Sequence, residues 1–346
     1  MGIITALYRS RFILLMLVIL FYTMTVFFIV QLARNDTSKT LGPALRSLSD
    51  KIFIVDESIS DVNRTSIIEP VNKLRFNHTV TTNAEFNQTL LEYIDWNDYE
   101  FMAKDAQRRG LGEQGTEFNK TLSAEEQELS EKLFQQYKFN ALASDYISLE
   151  RSTGDTRTDV CKVKKFLKNI PEASVSIIII FYNEKNSTIL RTLHSITNKS
   201  PAKLLREIVL VDDFSSNPEL QESLENYVRL HFPKVKIVRN TQRHGLIRSR
   251  MIGANATGGD ILIFFDAHTE VNHNYLPPLV EPIVLDYRKI ICPMIDNIAS
   301  DSMEIRPAEG RERGAFSWDM LYKRLPVYQE DATIPHPVPA MLGAAF

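Results

Sequence analysis

Asp266 and His268 flank one small residue, Ala267, directly after the apolar run Ile261-Leu262-Ile263-Phe264-Phe265. A short turn at the end of a buried strand aims both side chains the same way. A carboxylate oxygen with an imidazole nitrogen suits a divalent cation of the Mn²⁺ type that keeps open positions for phosphate oxygens. Such a metal acts as a Lewis acid on a diphosphate leaving group. In isolation the pattern equally describes a surface turn with a capping Asp, and its place after a strand is what favours the metal. Asp212-Asp213 ends the run Ile208-Val209-Leu210-Val211 in the same way. At least one of these carboxylates is expected to touch a nucleotide, accepting from a ribose hydroxyl or a uracil N–H, while the other is free to cap the next helix. Between the two pairs, residues 239–250 form a basic, glycine-containing turn with Arg239, Arg243, Arg248 and Arg250. Guanidinium groups and a helix N-terminus both favour phosphate, although Arg239 and Arg250 are read as solvated or paired with acids. No G-x-G-x-x-G, Walker A, H-E-x-x-H or G-x-S-x-G motif occurs, so a nicotinamide-type dinucleotide site is not expected.

These residues need elements to hold them. Ser174–Phe181 is a continuous β-branched apolar run, the signature of a central strand in a parallel sheet. A helix is predicted from about Ser187, with Ile189, Leu190, Leu193 and Ile196 on one face. A strand over 207–211, a helix over 219–230, a strand over 235–238, a helix over 246–256 and a strand over 260–265 follow. The order β-α-β-α-β is that of a doubly wound α/β half-sheet, in which ligands bind outside the carboxyl ends of the strands. Those ends carry Asn183-Glu184, Asp212-Asp213 and Asp266-Ala267-His268. Further upstream, Ser123-Ala124-Glu125-Glu126 is a capping box that opens a helix with Leu129, Leu133, Phe134 and Tyr137 at helical spacing.

The chain has 346 residues, with 40 Lys and Arg against 43 Asp and Glu. That balance argues against a nucleic-acid partner. Two cysteines, Cys161 and Cys292, exclude a disulfide-dense scaffold and a Cys-rich zinc module. Residues 12–33 are uncharged and long enough to cross the roughly 30 Å hydrocarbon core of a bilayer. Arg9 and Arg11 precede them, which predicts a cytosolic tail over 1–11, a signal-anchor over 12–33 and a lumenal remainder. Asn35, Asn63, Asn77, Asn87, Asn119, Asn186, Asn198 and Asn255 each head an N-x-[ST] sequon, and five of these lie before residue 120. Residues 34–120 are polar without sustained periodicity and are expected to form a largely unstructured stem.

From about residue 139 to 346 the chain resembles the polypeptide N-acetylgalactosaminyltransferases, Golgi type II membrane enzymes with a GT-A catalytic fold that initiate mucin-type O-glycosylation. The resemblance runs through Phe139-Asn140, Ser144-Asp145-Tyr146-Ile147-Ser148, Arg151, Asp155-Thr156-Arg157 and Cys161. It continues through Phe181-Tyr182-Asn183-Glu184, Val211-Asp212-Asp213-Phe214-Ser215, the Arg243–Arg250 turn, Asp266-Ala267-His268-Thr269-Glu270 and Pro293-Met294-Ile295-Asp296. It implies an α/β GT-A-type nucleotide-diphospho-sugar transferase fold over 121–346. It also implies a UDP-N-acetylgalactosamine (UDP-GalNAc) donor, a Ser or Thr acceptor on protein or peptide, and retention at the anomeric carbon. Carried over by position, Asp212 or Asp213 and Arg243 hold the nucleotide and diphosphate, Ala267 lies beside the donor, and Asp266 and His268 hold Mn²⁺. No residue is assigned as nucleophile. Glu270 is a candidate only by proximity, its other reading being a salt-bridged acid.

The chain also departs from the family pattern. Ile180 and Tyr182 stand in a segment that is usually Thr-Phe-His-Asn-Glu, which replaces a hydroxyl near the uridine by a methyl group and removes a hydrogen bond worth roughly 1 kcal/mol. Ala267 stands for Ser, Gly314-Ala315-Phe316-Ser317-Trp318 for Gly-Gly-Phe-Asp-Trp, and Leu342-Gly343-Ala344-Ala345-Phe346 for Ala-Gly-Gly-Leu-Phe. The resemblance further implies that 121–346 is a partial catalytic domain. In the family an acceptor segment, a further metal-binding His, the partner of the cysteine matched by Cys161, and a ricin-type lectin domain lie past the position of Phe346. The alternative expectation is a lumenal nucleotide- or protein-binding module of the same ancestry without activity.

Overall fold

A computed structural model describes residues 91–346 apart from 173, 309–311, 328–332, 342 and 344. The expected cytosolic tail and membrane span, most of the expected stem, and the sequons at Asn35, Asn63, Asn77 and Asn87 lie outside the described residues. Among those described, no helix is long and apolar enough to cross a membrane.

In chain order the elements are β1 (Tyr93–Ile94), α1 (Tyr99–Ala106), α2 (Ala124–Tyr137), α3 (Ala141–Tyr146), α4 (Asp159–Lys162), β2 (Phe166–Leu167), β3 (Val175–Phe181) and α5 (Asn186–Lys199). Next come β4 (Leu205–Asp212), α6 (Glu222–His231), β5 (Val235–Arg239), α7 (Leu246–Asn255), β6 (Ile261–Asp266) and α8 (Leu276–Leu285). Three short strands and a fourth complete the description: β7 (Asn297–Ile298), β8 (Ile305–Arg306), β9 (Glu312–Phe316) and β10 (Tyr322–Pro326).

The main sheet is four-stranded and parallel, in the order β5-β4-β3-β6. The α/β reading of the sequence holds, and the predicted strands and helices fall within a few residues of the observed ones. One exception is the helix expected over 219–230. It divides into a 3₁₀ turn at Pro218–Leu220 and α6, because Gln221 leaves the helical region at φ −93, ψ −120. Strand β3 is buried on both faces, as its β-branched run requires. Ile177 and Ile179 enter the larger core with Ile189, Leu193 and Ile196 of α5, and Ile178 joins Val209 and Val211 in a second core packed by Ile252 and Ala254 of α7. Alternation along the strand thus divides one apolar run between two layers of helix.

The chain moves outward from β3 to β4 to β5, then returns to the far side of β3 as β6. The strand order therefore reverses at β3, and its carboxyl end is the crevice where open α/β sheets bind ligands. Register fixes what meets there: Phe181 lies opposite Asp212, and Ile180 opposite both Val211 and Asp266.

The folded unit begins earlier than the expected boundary at residue 121. Strand β1 pairs antiparallel with β2. Asp98 caps α1 by accepting from the Phe101 amide at 2.9 Å, and Asp105 of α1 lies 3.2 Å from His273 Nε2 with both side chains buried. Residues 91–115 are thus part of the globular unit rather than of a largely unstructured stem, held by contacts far apart in sequence instead of by periodicity. The capping box at α2 is present in both directions, with Ser123 and Glu126 each bonding the other's backbone amide. Yet α2 has no buried residue, and Leu129 and Phe134 are exposed. Of the described sequons, Asn119, Asn198 and Asn255 are exposed, whereas the Asn186 carbonyl oxygen is buried at the start of α5. Cys161 and Cys292 are both free thiols.

Gly253 of α7 sits against Ile178 and Val211, where an added Cβ would collide with the Ile178 side chain. Gly253→Ala is expected to cost about 1–3 kcal/mol of stability through overpacking, read as a lower urea midpoint at unchanged slope.

Candidate functional site

The loop after β4 is organised by two carboxylates that are each only 2% exposed. Asp213 continues the ladder, its amide donating to the Phe181 carbonyl at 2.9 Å. Its carboxylate accepts from the amides of His244 and Gly245 at 2.8 and 2.9 Å, from Asn240 Nδ2 at 2.9 Å and from Arg243 Nε at 3.2 Å. Burial pushes this carboxyl up, but the hydrogen bonds from His244, Asn240 and their neighbours outweigh it and bring the pKa down to about 2. Asp212 accepts from the Ser215 amide at 2.8 Å and pairs with Arg239, which also reaches Glu225 at 2.8 Å. Arg239 is therefore acid-paired, as expected. Arg250 donates to the Gly343 carbonyl and lies over the Phe346 ring. The oxygens of Asp212 and Asp213 are thus engaged by the chain itself, where they clamp residues 239–245 and the start of α7. Gly245, at φ +81, makes the left-handed step into that helix.

The loop after β3 is latched to the loop after β4 by Asn183. Its amide donates to Ser215 Oγ at 2.9 Å, and its side-chain oxygen accepts from the amides of Ser216 and Asn217 at 2.8 and 3.1 Å. Asn183 has φ +48, a conformation that Asn tolerates better than most residues, and Phe214 across the crevice has φ +71. Sequence reasoning gave Asn183 no role; an Asn directly after a buried strand, before an acid, was the available signal. Tyr182 projects from the same loop, 43% exposed, with the Arg243 guanidinium carbon 3.4 Å from its ring centroid.

On the β6 side, Asp266 and His268 come to the same end of the sheet. His268 is 61% exposed and its Nδ1 lies 3.2 Å from Glu184 Oε2. The hydrogen bond to Glu184 raises the imidazole pKa, against burial. Burial pushes the Glu184 carboxyl up, but the bond from His268 and the charge on that ring bring it below its ordinary value. An ionised carboxylate only accepts, so Nδ1–H donates to Glu184. Burial pushes the Asp266 carboxyl up, helped by the charge of Glu184 and opposed by the charges of His268 and Arg250. Among the described residues no group of three or more His, Cys, Asp or Glu side chains is arranged around a metal. The two donors fit one nevertheless: a carboxylate without a salt bridge beside an imidazole whose far nitrogen a carboxylate holds is a common carboxylate–histidine–metal arrangement. Sequence reasoning placed Glu184 at a strand end without this partnership.

Ala267 differs from its expectation beside the donor. Its methyl group is buried in the main core and its carbonyl accepts from Thr192 Oγ1 at 3.1 Å, because alternation along β6 turns this residue inward between Asp266 and His268. Glu270 takes its salt-bridged reading. Arg151 Nε and Nη2 grip it bidentately at 2.8 Å each, with both side chains buried, and Arg151 also donates to the Met303 carbonyl at 2.8 Å. A cavity of about 250 Å³ lies beside this pair, lined in part by Glu184, Thr188, Arg191, His268, Glu270 and Met303.

Comparison with known proteins follows the same geography. Residues 176–344 match the model for Glycosyl transferase family 2. N-acetylgalactosaminyltransferase 4 of Drosophila melanogaster is 43% identical over 260 residues, covering 74% of this chain and 40% of that protein. Polypeptide N-acetylgalactosaminyltransferase 10 of Homo sapiens is 44% identical over 257 residues, covering 73% and 42%. The crystal structure of GalNAc-T7 with UDP, GalNAc and Mn²⁺ superimposes with a TM-score of 0.64 at 39% identity, over 68% of this chain and 45% of that one. The chain spans about 40% of the length of these curated relatives.

Glu270→Ala leaves Arg151 buried without its partner and is expected to cost about 3–5 kcal/mol, measured by urea unfolding. Asp213 has a lowered pKa in the fold, so its stabilisation is full above about pH 4 and disappears as pH falls toward about 2. Asp213→Asn is expected to lower stability at neutral pH and to flatten the acid limb of a stability–pH profile.

Proposed function

The chain belongs to the polypeptide N-acetylgalactosaminyltransferase family, and we propose that its folded unit binds UDP-GalNAc for transfer of the sugar to Ser or Thr hydroxyls of proteins. The observation that carries this reading is the pairing at the end of β6. Among the described residues Asp266 has no salt bridge or side-chain hydrogen bond, and it lies two residues from His268, whose Nδ1 is turned to Glu184, both at the point where strand order reverses. In this reading Asp266 and His268 hold a divalent cation, which when bound supplies Lewis-acid neutralisation of the departing diphosphate. The crystal structure of GalNAc-T7 with UDP, GalNAc and Mn²⁺ supports that choice. Glu184 orients His268 through Nδ1, leaving Nε2 as the nitrogen that would face the metal. Asp212 and Asp213 serve the nucleotide by holding the 239–245 turn, and Arg243 is the member of that turn that faces the ligand.

Residues 12–33 are proposed to anchor the chain in the Golgi membrane as a single-pass type II protein, with the folded unit in the lumen. The uncharged run and the flanking Arg9 and Arg11 support this topology.

Calorimetric titration of the full chain with UDP tests the reading. Binding is expected with Mn²⁺ and not with EDTA, and Asp266→Ala is expected to abolish the Mn²⁺-dependent part while the fold persists. Equal binding with and without metal would remove the metal assignment, and absence of binding by folded protein would remove the donor assignment.

A further inference from the structure

Most of helix α5 is buried, yet it carries a row of polar residues, Thr188, Thr192, Ser195 and Lys199, whose spacing places them on one face. We propose that Thr192 and Ser195 are positioning residues for a divalent cation: they hold the backbone of residues 267–271 so that Asp266 and His268 offer their donors at the spacing the ion needs. This rests on the metal reading above and assigns what sets the geometry of that site.

The turn that bears His268 has no frame of its own. Among the described residues no backbone–backbone hydrogen bond joins two members of 267–271, and the exposed His268 ring is held at Nδ1 by Glu184. Helix α5 supplies the frame instead. Thr192 Oγ1 donates to the Ala267 carbonyl at 3.1 Å, on the peptide that joins Ala267 to His268. One helical turn further on, Ser195 Oγ accepts from the Val271 amide at 2.9 Å, and Lys199 Nζ donates to the Val271 carbonyl at 2.8 Å. Both ends of the turn are therefore tied to the same rigid element. On the other side of Thr192, Thr188 Oγ1 lies 3.4 Å from Glu184 Oε1, the acid whose second oxygen meets His268. A buried hydroxyl is unfavourable unless it is bonded, and an apolar side chain would fill the space at 192 and 195 equally well. What the two hydroxyls add is a fixed direction for the backbone on either side of His268. Ser187 of the same helix shows the contrast, because its buried hydroxyl bonds Ser144 Oγ of α3 at 2.8 Å rather than the turn. Groups that orient a metal ligand through hydrogen bonds are typically worth roughly 10–100-fold in affinity.

The test titrates Mn²⁺ into the full chain and follows the free ion by electron paramagnetic resonance, with urea unfolding of the metal-free protein measured in parallel. Thr192→Val, which keeps the branched shape and removes the hydroxyl, is expected to weaken Mn²⁺ by about tenfold, and Ser195→Ala to act in the same direction. Thr192→Ser, which restores the donor, is expected to bind Mn²⁺ like the unmodified chain. Ser187→Ala separates positioning from the loss of a buried hydroxyl as such: it is expected to lower the urea midpoint and leave Mn²⁺ affinity unchanged. The proposal is overturned by a folded Thr192→Val protein that binds Mn²⁺ normally, or by Thr192→Ser binding as weakly as Thr192→Val. It is also overturned by Ser187→Ala weakening Mn²⁺ as much as Thr192→Val. If Thr192→Val does not fold, Ser195→Ala decides by the same criteria. Failure of the unmodified chain to bind Mn²⁺ would remove the metal reading as well, whereas normal binding with insensitive variants removes this inference alone.

Discussion

Everything at the carboxyl end of the sheet depends on β3 being paired on both sides. A strand buried on both faces and bonded along both edges cannot shift without moving its neighbours, so the levels of Asp212 and Asp266 follow from the register of one Ile-rich segment. A slip by one residue would turn Ile177 and Ile179 into the layer of α7 and exchange the two cores. The same slip would carry Tyr182 and Glu184 out of reach of Arg243 and His268. Register, a property of hydrophobic patterning, is therefore also what gives the crevice its chemistry.

Beneath the crevice the fold tolerates an unusual density of buried charge. Arg151 and Glu270 neutralise each other, and Arg191 satisfies its guanidinium with the carbonyls of Ser144, Ile147 and Ser148 and with Ser144 Oγ. Burial brings the Arg191 pKa down to about 10 and that of Lys199 to about 8. Lys199 keeps two partners, Thr153 Oγ1 at 2.6 Å and the Val271 carbonyl at 2.8 Å. Charges of this kind seldom add net stability over apolar substitutes, but removing any one partner is costly. Here they join α5 to the segment after β6 and to residues 144–153, fastening the loop after β6 to the helix below it.

The main sheet was legible because its strands are continuous β-branched runs and its helices carry apolar faces, and the positions of Asp212, Asp213, Asp266 and His268 follow from where those runs end. What was not legible shares one cause: it depends on partners distant in sequence. Residues 91–115 have no period to detect, since they are held by a two-residue strand pairing and by side-chain contacts such as Asp105–His273 and Arg108–Glu113. Glu184 meets His268 only once β3 and β6 are adjacent. Ala267 was placed by motif position, whereas strand alternation decides which way it faces. Conversely, the capping box of α2 is purely local and is found as written, but whether its apolar face is covered is a tertiary question, and Leu129 and Phe134 are exposed.

The return of β6 to the far side of β3 has a consequence for how the chain reaches this structure. Synthesis delivers β3, β4 and β5 in the order in which they pair, but the second edge of β3 stays open until β6 has emerged, with α5, α6 and α7 made in between. During that interval an isoleucine-rich edge with unpaired backbone groups is available to other chains. Long-range parallel pairing of this kind is slow to form. The arrangement that creates the ligand crevice therefore also sets the most aggregation-exposed moment in the biogenesis of the protein.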